Sequence, residues 1–125
     1  MSAILIVEDN PLHMRLATTL LEMNGYTVLK AENAKDGIRL AGEQKPDLIL
    51  MDIMLPDMGG LEAVKRLRSV DATNAIKIIV LTSFRDQFSE AEILASGANA
   101  FLPKPYHHQD FLNIVLSLLS AEPQT

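Results

Sequence analysis

Five short apolar runs, separated by stretches with helical periodicity, constrain the fold of this chain more than any other feature. The runs are residues 3–7, 27–31, 47–51, 77–81 and a weaker one at 99–102. The first, third and fourth runs are rich in Ile, Leu and Val, and in them apolar residues follow one another without alternating with polar ones. Such strands must be covered on both faces, as in parallel sheets flanked by helices. The runs therefore predict a parallel sheet between two helix layers.

Helical patterns lie between the apolar runs. Asn10 followed by Pro11 predicts a helix start, because an Asn side chain accepts from free N–H groups and proline fits the first turn. The first helix places four apolar residues on one face: Leu16, Ala17, Leu20 and Leu21. Further helices are predicted at about 34–42, from 60, at 86–96 and at 108–120. Five strand–helix units with short, right-handed connections predict a doubly wound α/β domain.

Composition limits the function classes. A chain of 125 residues that is 48% hydrophobic fits one domain with its own core, here residues 1–121 followed by a short tail at 122–125. The net charge of −5 makes direct nucleic-acid binding a poor fit, since phosphate contacts need a basic surface. Without cysteine there is no disulfide or Cys-based zinc site. The short N-terminal apolar run predicts no membrane insertion and a cytoplasmic location.

Polar side chains follow the apolar runs at the points where the predicted strands end. Glu8 and Asp9 follow the first run, Asp52 the third, Thr82 the fourth and Lys104 the fifth. Ligands of open α/β sheets bind beyond the carboxyl ends of the strands, so these side chains are expected to converge on one rim. The four residues that follow the first run, Glu8 to Pro11, include no glycine, which argues against a dinucleotide site or a P-loop.

The predicted rim has the chemistry of a phosphoryl-transfer site. Three clustered carboxylates repel one another and raise one another's pKa, and a hard divalent cation such as Mg²⁺ offsets their charge. A carboxylate can also attack phosphorus and form an acyl phosphate. In that reaction Lys104 would hold one phosphoryl oxygen as a point charge, and the Thr82 hydroxyl would donate to another.

Four segments of the chain resemble the receiver domains of two-component response regulators. They are ILIVEDN at 4–10, DLILMDIMLP at 47–56, VLTS at 80–83 and LPKP at 102–105. They occur in the family's order, each at a predicted strand end, and the resemblance extends over essentially the whole chain. It implies a flavodoxin-like receiver fold: a doubly wound, five-stranded parallel sheet in the order 2-1-3-4-5, with five helices on both faces.

The resemblance also implies roles for the acidic residues. Asp52 matches the aspartate that accepts a phosphoryl group. Glu8 and Asp9 match the acidic pair that, with Asp52, binds Mg²⁺. The backbone carbonyl of Met54 matches a further metal ligand.

Other matched positions imply the parts of a switch. Thr82 matches the switch hydroxyl, Lys104 the phosphate-binding lysine and Phe101 the switch aromatic that turns inward when Thr82 moves. The Lys104–Pro105 peptide bond is expected to be cis, which costs an X–Pro bond only about 0.5–1 kcal/mol.

The resemblance implies protein partners. A histidine kinase or histidine phosphotransfer protein would donate the phosphoryl group. A downstream protein, not identifiable from the sequence, would bind the face of the fourth helix, fifth strand and fifth helix. The matching positions are Glu90, Leu94, Phe101, Tyr106 and Ile114. On the last helix, Ile114 and Leu116 widen the apolar arc, which fits either a partner surface or two half-exposed edges. The chain is expected to be a monomer or weak dimer, and because only a short tail follows, its output would pass through the partner.

Two positions depart from the commonest family pattern. Met54 and Phe84 lie two residues after Asp52 and Thr82, where polar side chains can orient the water that hydrolyses the phosphoryl group. Apolar side chains there predict shielding and slower loss of phosphate. The domain is expected to catalyse only its own phosphorylation and dephosphorylation, and so not to be a turnover enzyme.

Two other functions compete with the switch. A haloacid-dehalogenase-type phosphohydrolase would carry a second acid where this chain has Met54, and it would need a substrate-capping insertion. A constitutive binding module would have no use for Asp9, Asp52, Thr82 and Lys104 together. The three histidines, His13, His107 and His108, are interpreted as solvated, and Asp57 and Glu62 as loop and surface acids.

Overall fold

Strands and helices alternate along the part of the chain that this computed structural model describes, residues 2–83 and 88–120. The ten elements are β1 (Ala3–Val7), α1 (Pro11–Met23), β2 (Thr27–Ala31), α2 (Ala34–Gln44), β3 (Leu48–Asp52), α3 (Gly60–Arg68), β4 (Lys77–Ser83), α4 (Glu90–Ala95), β5 (Ala100–Lys104) and α5 (His108–Leu119). The predicted tail and the predicted start of the fourth helix at residue 86 lie outside the described residues. Within them, α4 begins at Glu90.

All strand pairs are parallel, and the strand order is β2-β1-β3-β4-β5. The predicted fold class is therefore confirmed. The last three strands end later than their apolar runs, so Asp52, Thr82 and Lys104 lie within strands and not after them. In register, Asp52 lies opposite Leu81, and Thr82 lies opposite Pro103. The strand backbone therefore positions these polar side chains directly.

The sheet separates two hydrophobic cores because successive side chains of a strand point to opposite faces. In β1, Leu5 and Val7 pack in the core on the side of α2, α3 and α4, whereas Ile4 and Ile6 pack in the core on the side of α1 and α5. All five residues of β3 are buried. The continuous apolar strands are therefore buried on both faces of the sheet, as the sequence predicted.

One sequence expectation about helix faces is wrong, and one is refined. Leu16 was expected on the inward face of α1, but it is 50% exposed; the buried residues of that helix are Ala17, Thr18 and Leu21. On α5, Ile114 is half-buried against the core, whereas Leu116 is exposed. The reason is geometric: a short helix over a twisted sheet buries a narrower stripe than its apolar residues occupy.

Helix ends are fixed by local signals. The Asn10 side chain accepts from the backbone N–H groups of Leu12 and His13 at 2.9 and 3.1 Å, so the predicted cap is present.

At the opposite end of the sheet, the Arg68 guanidinium donates to the carbonyls of Gly97, Asn74 and Ile76. It thereby links the end of α3 to the connections before β4 and β5. None of the helices in residues 2–83 and 88–120 has the length and hydropathy of a membrane span.

Candidate active site

A cleft of about 290 Å³ opens at the carboxyl ends of β1, β3, β4 and β5. All five polar residues that the sequence placed at this rim line it. The full lining is Glu8, Asp9, Asn10, His13, Asp52, Ile53, Met54, Thr82, Ser83 and Lys104. Convergence of the rim residues follows from the parallel strand order, which brings the four strand ends to one edge.

Three carboxylates line the cleft. Glu8 and Asp52 are 2% and 7% exposed, whereas Asp9 is exposed. One oxygen atom from each lies within 4.8 Å of the others. Backbone N–H groups orient the two buried ones: Asn10 donates to Glu8 Oε2 at 3.2 Å, and Met54 donates to Asp52 Oδ1 at 3.1 Å.

The Lys104 ammonium lies among three acceptors. It donates to Glu8 Oε1, to Asp52 Oδ2 at 3.4 Å and to His13 Nδ1 at 3.2 Å. The side chain is 15% exposed, so the ion pairs lie partly out of water. Lys104 is therefore held at the mouth of the cleft, beside the oxygen of Asp52 that Met54 leaves free.

His13 is a site residue that the sequence interpretation missed. Its side chain is 45% exposed, as expected for a solvated histidine, yet Nδ1 lies 3.2 Å from Lys104 Nζ and 3.8 Å from Glu8 Oε1. The available signal was its position in the first turn of α1, four residues after Asp9. That position alone could not identify Lys104 as its partner, because 91 residues separate the two.

The surroundings of the cleft shift the pKa of Asp52. Burial, followed by its hydrogen bond with Glu8, raises the pKa of Asp52 from 3.8 to about 6, against the opposing effects of the Met54 N–H and Lys104. The carboxylate repulsion expected from the sequence is thus present between Asp52 and Glu8. Burial and the Glu8 charge also raise the pKa of Tyr106 to about 12.

The loop after β3 is fixed at two points. Gly60 packs so closely on β3 that an added Cβ would lie 2.2 Å from the Asp52 carbonyl oxygen. The Asp57 carboxylate accepts from the N–H groups of Ala34 and Lys35 at 2.8 and 2.9 Å. Partial desolvation raises the pKa of Asp57, but these N–H groups outweigh it and hold the pKa below its usual value. Asp57 therefore caps α2 and is more than the surface acid the sequence indicated.

Thr82 and Phe101 line a second groove of about 240 Å³ together with Glu90 and Ile93 of α4. Both are half-buried, and Phe101 packs against the core on the α4 side. The remaining predicted partner-face residues vary in exposure. Leu94 is 47% exposed, whereas Tyr106 is half-buried and its ring stacks on Phe111 at a centroid distance of 4.7 Å.

The Lys104–Pro105 peptide bond is cis, as the family resemblance implied. Met54 is exposed at the cleft, and Phe84, the other apolar flanking position, lies outside the described residues.

Comparison with known proteins decides the family. The family model of the response regulator receiver domain matches residues 4–116. The chain belongs to this family. The receiver is 38% identical over 121 residues to protein PilH of Pseudomonas aeruginosa, covering 97% of this chain and 100% of PilH. It is also 38% identical to the polar-differentiation response regulator DivK of Brucella anthropi, covering 94% and 95% of the two chains.

Solved structures agree with this assignment. The receiver domain of the sensor histidine kinase PA1611 from Pseudomonas aeruginosa superposes with a TM-score of 0.88 at 30% identity, covering 96% of this receiver and 98% of that chain. That structure holds a magnesium ion in its active-site cleft. The protein is thus a receiver domain of two-component signalling, and its acidic cluster occupies the carboxyl edge of the sheet.

Proposed function

We propose that this receiver is a phosphorylation-dependent switch in which Asp52 accepts a phosphoryl group from a histidine kinase or a histidine phosphotransfer protein. The observation that carries the proposal is the position of Asp52, a buried carboxylate with Lys104 on one side and Glu8 and Asp9 nearby. The phosphorylated receiver would then bind a downstream protein and so transmit the signal.

The donor set fits Mg²⁺. Three carboxylates and one ammonium leave a formal charge of −2, which a divalent cation offsets. All of the donors are oxygen atoms, the ligands that Mg²⁺ prefers. Glu8, Asp9 and Asp52 would hold the ion, with the backbone carbonyl of Met54 as a further ligand. When bound, Mg²⁺ would neutralise negative charge on the carboxylates and the incoming phosphoryl oxygens.

Different residues of the receiver would attack the phosphoryl group and bind its oxygens. Because the Met54 N–H holds Asp52 Oδ1 and Oδ2 accepts only the longer 3.4 Å contact from Lys104, Oδ2 would be the oxygen that attacks phosphorus. The P–N bond of the donor phosphohistidine breaks, its electron pair stays on the donor imidazole, and an O–P bond to Oδ2 forms. Lys104 would bind one phosphoryl oxygen as a point charge, and Thr82 would donate a hydrogen bond to another.

The switch would operate through the groove that Thr82 shares with Phe101 and α4. If the Thr82 hydroxyl moves toward the phosphoryl group, Phe101 gains room to turn inward, which changes the surface of α4 and β5. Glu90 and Leu94 are the exposed members of this face, and Tyr106 and Ile114 are half-buried. The downstream partner would bind there.

Intact-mass analysis after treatment with Mg²⁺ and a small phosphodonor such as acetyl phosphate tests the site. Wild type should gain one phosphoryl group, and Asp52→Asn should gain none. Asp71→Asn, which neutralises an exposed acid in the α3–β4 connection, is the matched control and should be labelled like wild type. Labelling of Asp52→Asn at the wild-type level, or labelling unaffected by a chelator, would refute the proposal.

A further inference from the structure

We infer that His13 is a positioning residue for Lys104, holding its ammonium at the mouth of the phosphorylation cleft through the ring nitrogen Nδ1. The inference rests on the proposed function, because the reaction that it serves is the phosphorylation of Asp52. The geometric basis is the 3.2 Å contact between Nδ1 and Lys104 Nζ, which joins the first turn of α1 to the end of β5.

The chemistry of the contact is fixed by Lys104. An ammonium group can only donate, so the inferred hydrogen bond requires Nδ1 to accept, with the ring proton on Nε2. His13 therefore holds the ammonium without neutralising its charge. The other two acceptors of Lys104, Glu8 and Asp52, are carboxylates whose charges compensate that of the ammonium.

The three acceptors differ in what the proposed reaction does to them. Glu8 and Asp52 would be engaged by Mg²⁺, and Asp52 would also be converted to an acyl phosphate, so both would attract Lys104 less strongly. Of the three acceptors, His13 is the one with neither role. It can keep the ammonium at the cleft while two of the three Lys104 N–H bonds remain available for phosphoryl oxygens.

The position of the pair fits this role. His13 and Lys104 line the phosphorylation cleft and also a third depression, a groove of about 160 Å³ that includes Leu16 and Tyr106. The contact therefore lies between the two depressions. Without the acceptor at residue 13, Lys104 could move from the cleft toward this groove.

Two substitutions separate hydrogen bonding from shape. Asn carries an oxygen on Cγ, the same number of bonds from the backbone as Nδ1, so His13→Asn keeps an acceptor. His13→Leu keeps side-chain volume but has none. At saturating Mg²⁺ and acetyl phosphate, His13→Leu should slow phosphorylation of Asp52 about three- to tenfold, the effect of losing one partly solvent-exposed hydrogen bond near the reaction centre. His13→Asn should restore most of the rate. His107→Asn, a change at an exposed histidine outside both depressions, is the control and should match wild type.

A second measurement reports on Lys104 itself. Trace acylation followed by peptide mass spectrometry gives the reactivity of Lys104 relative to the exposed Lys35 in each Mg²⁺-loaded variant. A released ammonium should react faster in His13→Leu, by about twofold or more, and at the wild-type rate in His13→Asn. A merely structural role for His13 would not change this ratio selectively.

The outcomes distinguish the inference from the proposed function. If wild type is labelled on Asp52 and His13→Leu is labelled equally fast, or if His13→Asn is as slow as His13→Leu, the positioning role is wrong. If wild type is not labelled on Asp52, the proposed function fails. In that case the acylation ratio still decides whether His13 holds Lys104, since an unchanged ratio in His13→Leu would overturn the contact as well.

Discussion

Neutralising Asp52 should stabilise the metal-free receiver, although Asp52 is the proposed reactive residue. Its carboxylate is buried, and burial followed by interaction with Glu8 raises its pKa to about 6. The folded state therefore disfavours the ionised form. Asp52→Asn removes that cost while keeping an oxygen to accept from the Met54 N–H.

The magnitude follows from the two pKa values. The difference between about 6 and 3.8 corresponds to at most about 3 kcal/mol in the free energy of unfolding. Solvent screening at the open cleft and the lost attraction to Lys104 reduce the expected gain to about 1–2 kcal/mol. Since the folded pKa is raised, the stabilising contribution of the protonated group is fully present below about 3.8 and lost as the pH rises through 6. The gain from Asp52→Asn should therefore be largest above about pH 7 and shrink toward pH 4.

Urea denaturation followed by circular dichroism, in chelator and at several pH values, measures this gain. Asp9→Asn is the matched control, because it removes the same charge from the same cluster at an exposed position and Asp9 does not contribute to the raised pKa of Asp52. Removing Asp9 should relieve some repulsion in the cluster and give a smaller gain. The reasoning is refuted if Asp52→Asn is no more stable than Asp9→Asn at pH 7.5, or if its advantage does not change with pH.

Three further predictions concern other parts of the receiver. Met54→Asn should speed loss of the phosphoryl group by about tenfold, since a polar side chain at the cleft can orient the attacking water. The decay of the phosphoprotein after donor removal measures the rate of loss. A decay rate equal to that of wild type contradicts the prediction. Leu94→Asn should leave labelling by acetyl phosphate unchanged but weaken phosphorylation-dependent capture of the downstream protein several-fold. Leu116→Asn, at a somewhat more exposed leucine on α5, should not weaken capture, and equal capture by both variants counts against the α4 face. Arg68→Lys should lower the free energy of unfolding by about 1–3 kcal/mol, because an ammonium cannot replace the guanidinium fork that reaches three carbonyls. A urea midpoint within error of wild type would show that the fork is dispensable.

The sheet could be predicted from the sequence because each strand is marked by a local pattern. A strand covered on both faces needs a continuous apolar run, and such runs can be recognised without knowing what covers them. The convergence of Asp52 with the acidic pair was predictable for the same reason: each residue sits at the end of its own run, and parallel topology brings the ends together.

Contacts between side chains on distant segments were not predictable in this way. His13 meets Lys104 across 91 residues, and Asp57 caps α2 across 22 and 23 residues. The partner in each contact depends on how helices and loops pack on the sheet, which no local pattern encodes. The exposure of Leu16 was mispredicted for a related reason. Apolar periodicity gives the direction of a helix face but not the width that its neighbours cover.

The location of Asp52 gives a physical reason for the stability cost that is predicted for this site. A carboxylate that attacks phosphorus must be ionised yet poorly solvated, because a full hydration shell has to be removed before the oxygen can react. The carboxyl end of a fully buried central strand provides that environment: β3 lies between β1 and β4, and all five of its residues are buried. The edge strand β5 is only partly buried, and its last residue, Lys104, carries the cation that lies 3.4 Å from Asp52 Oδ2. The raised pKa of Asp52 and the Lys104 charge beside it therefore follow from where β3 and β5 lie in the sheet and from the residues in which they end.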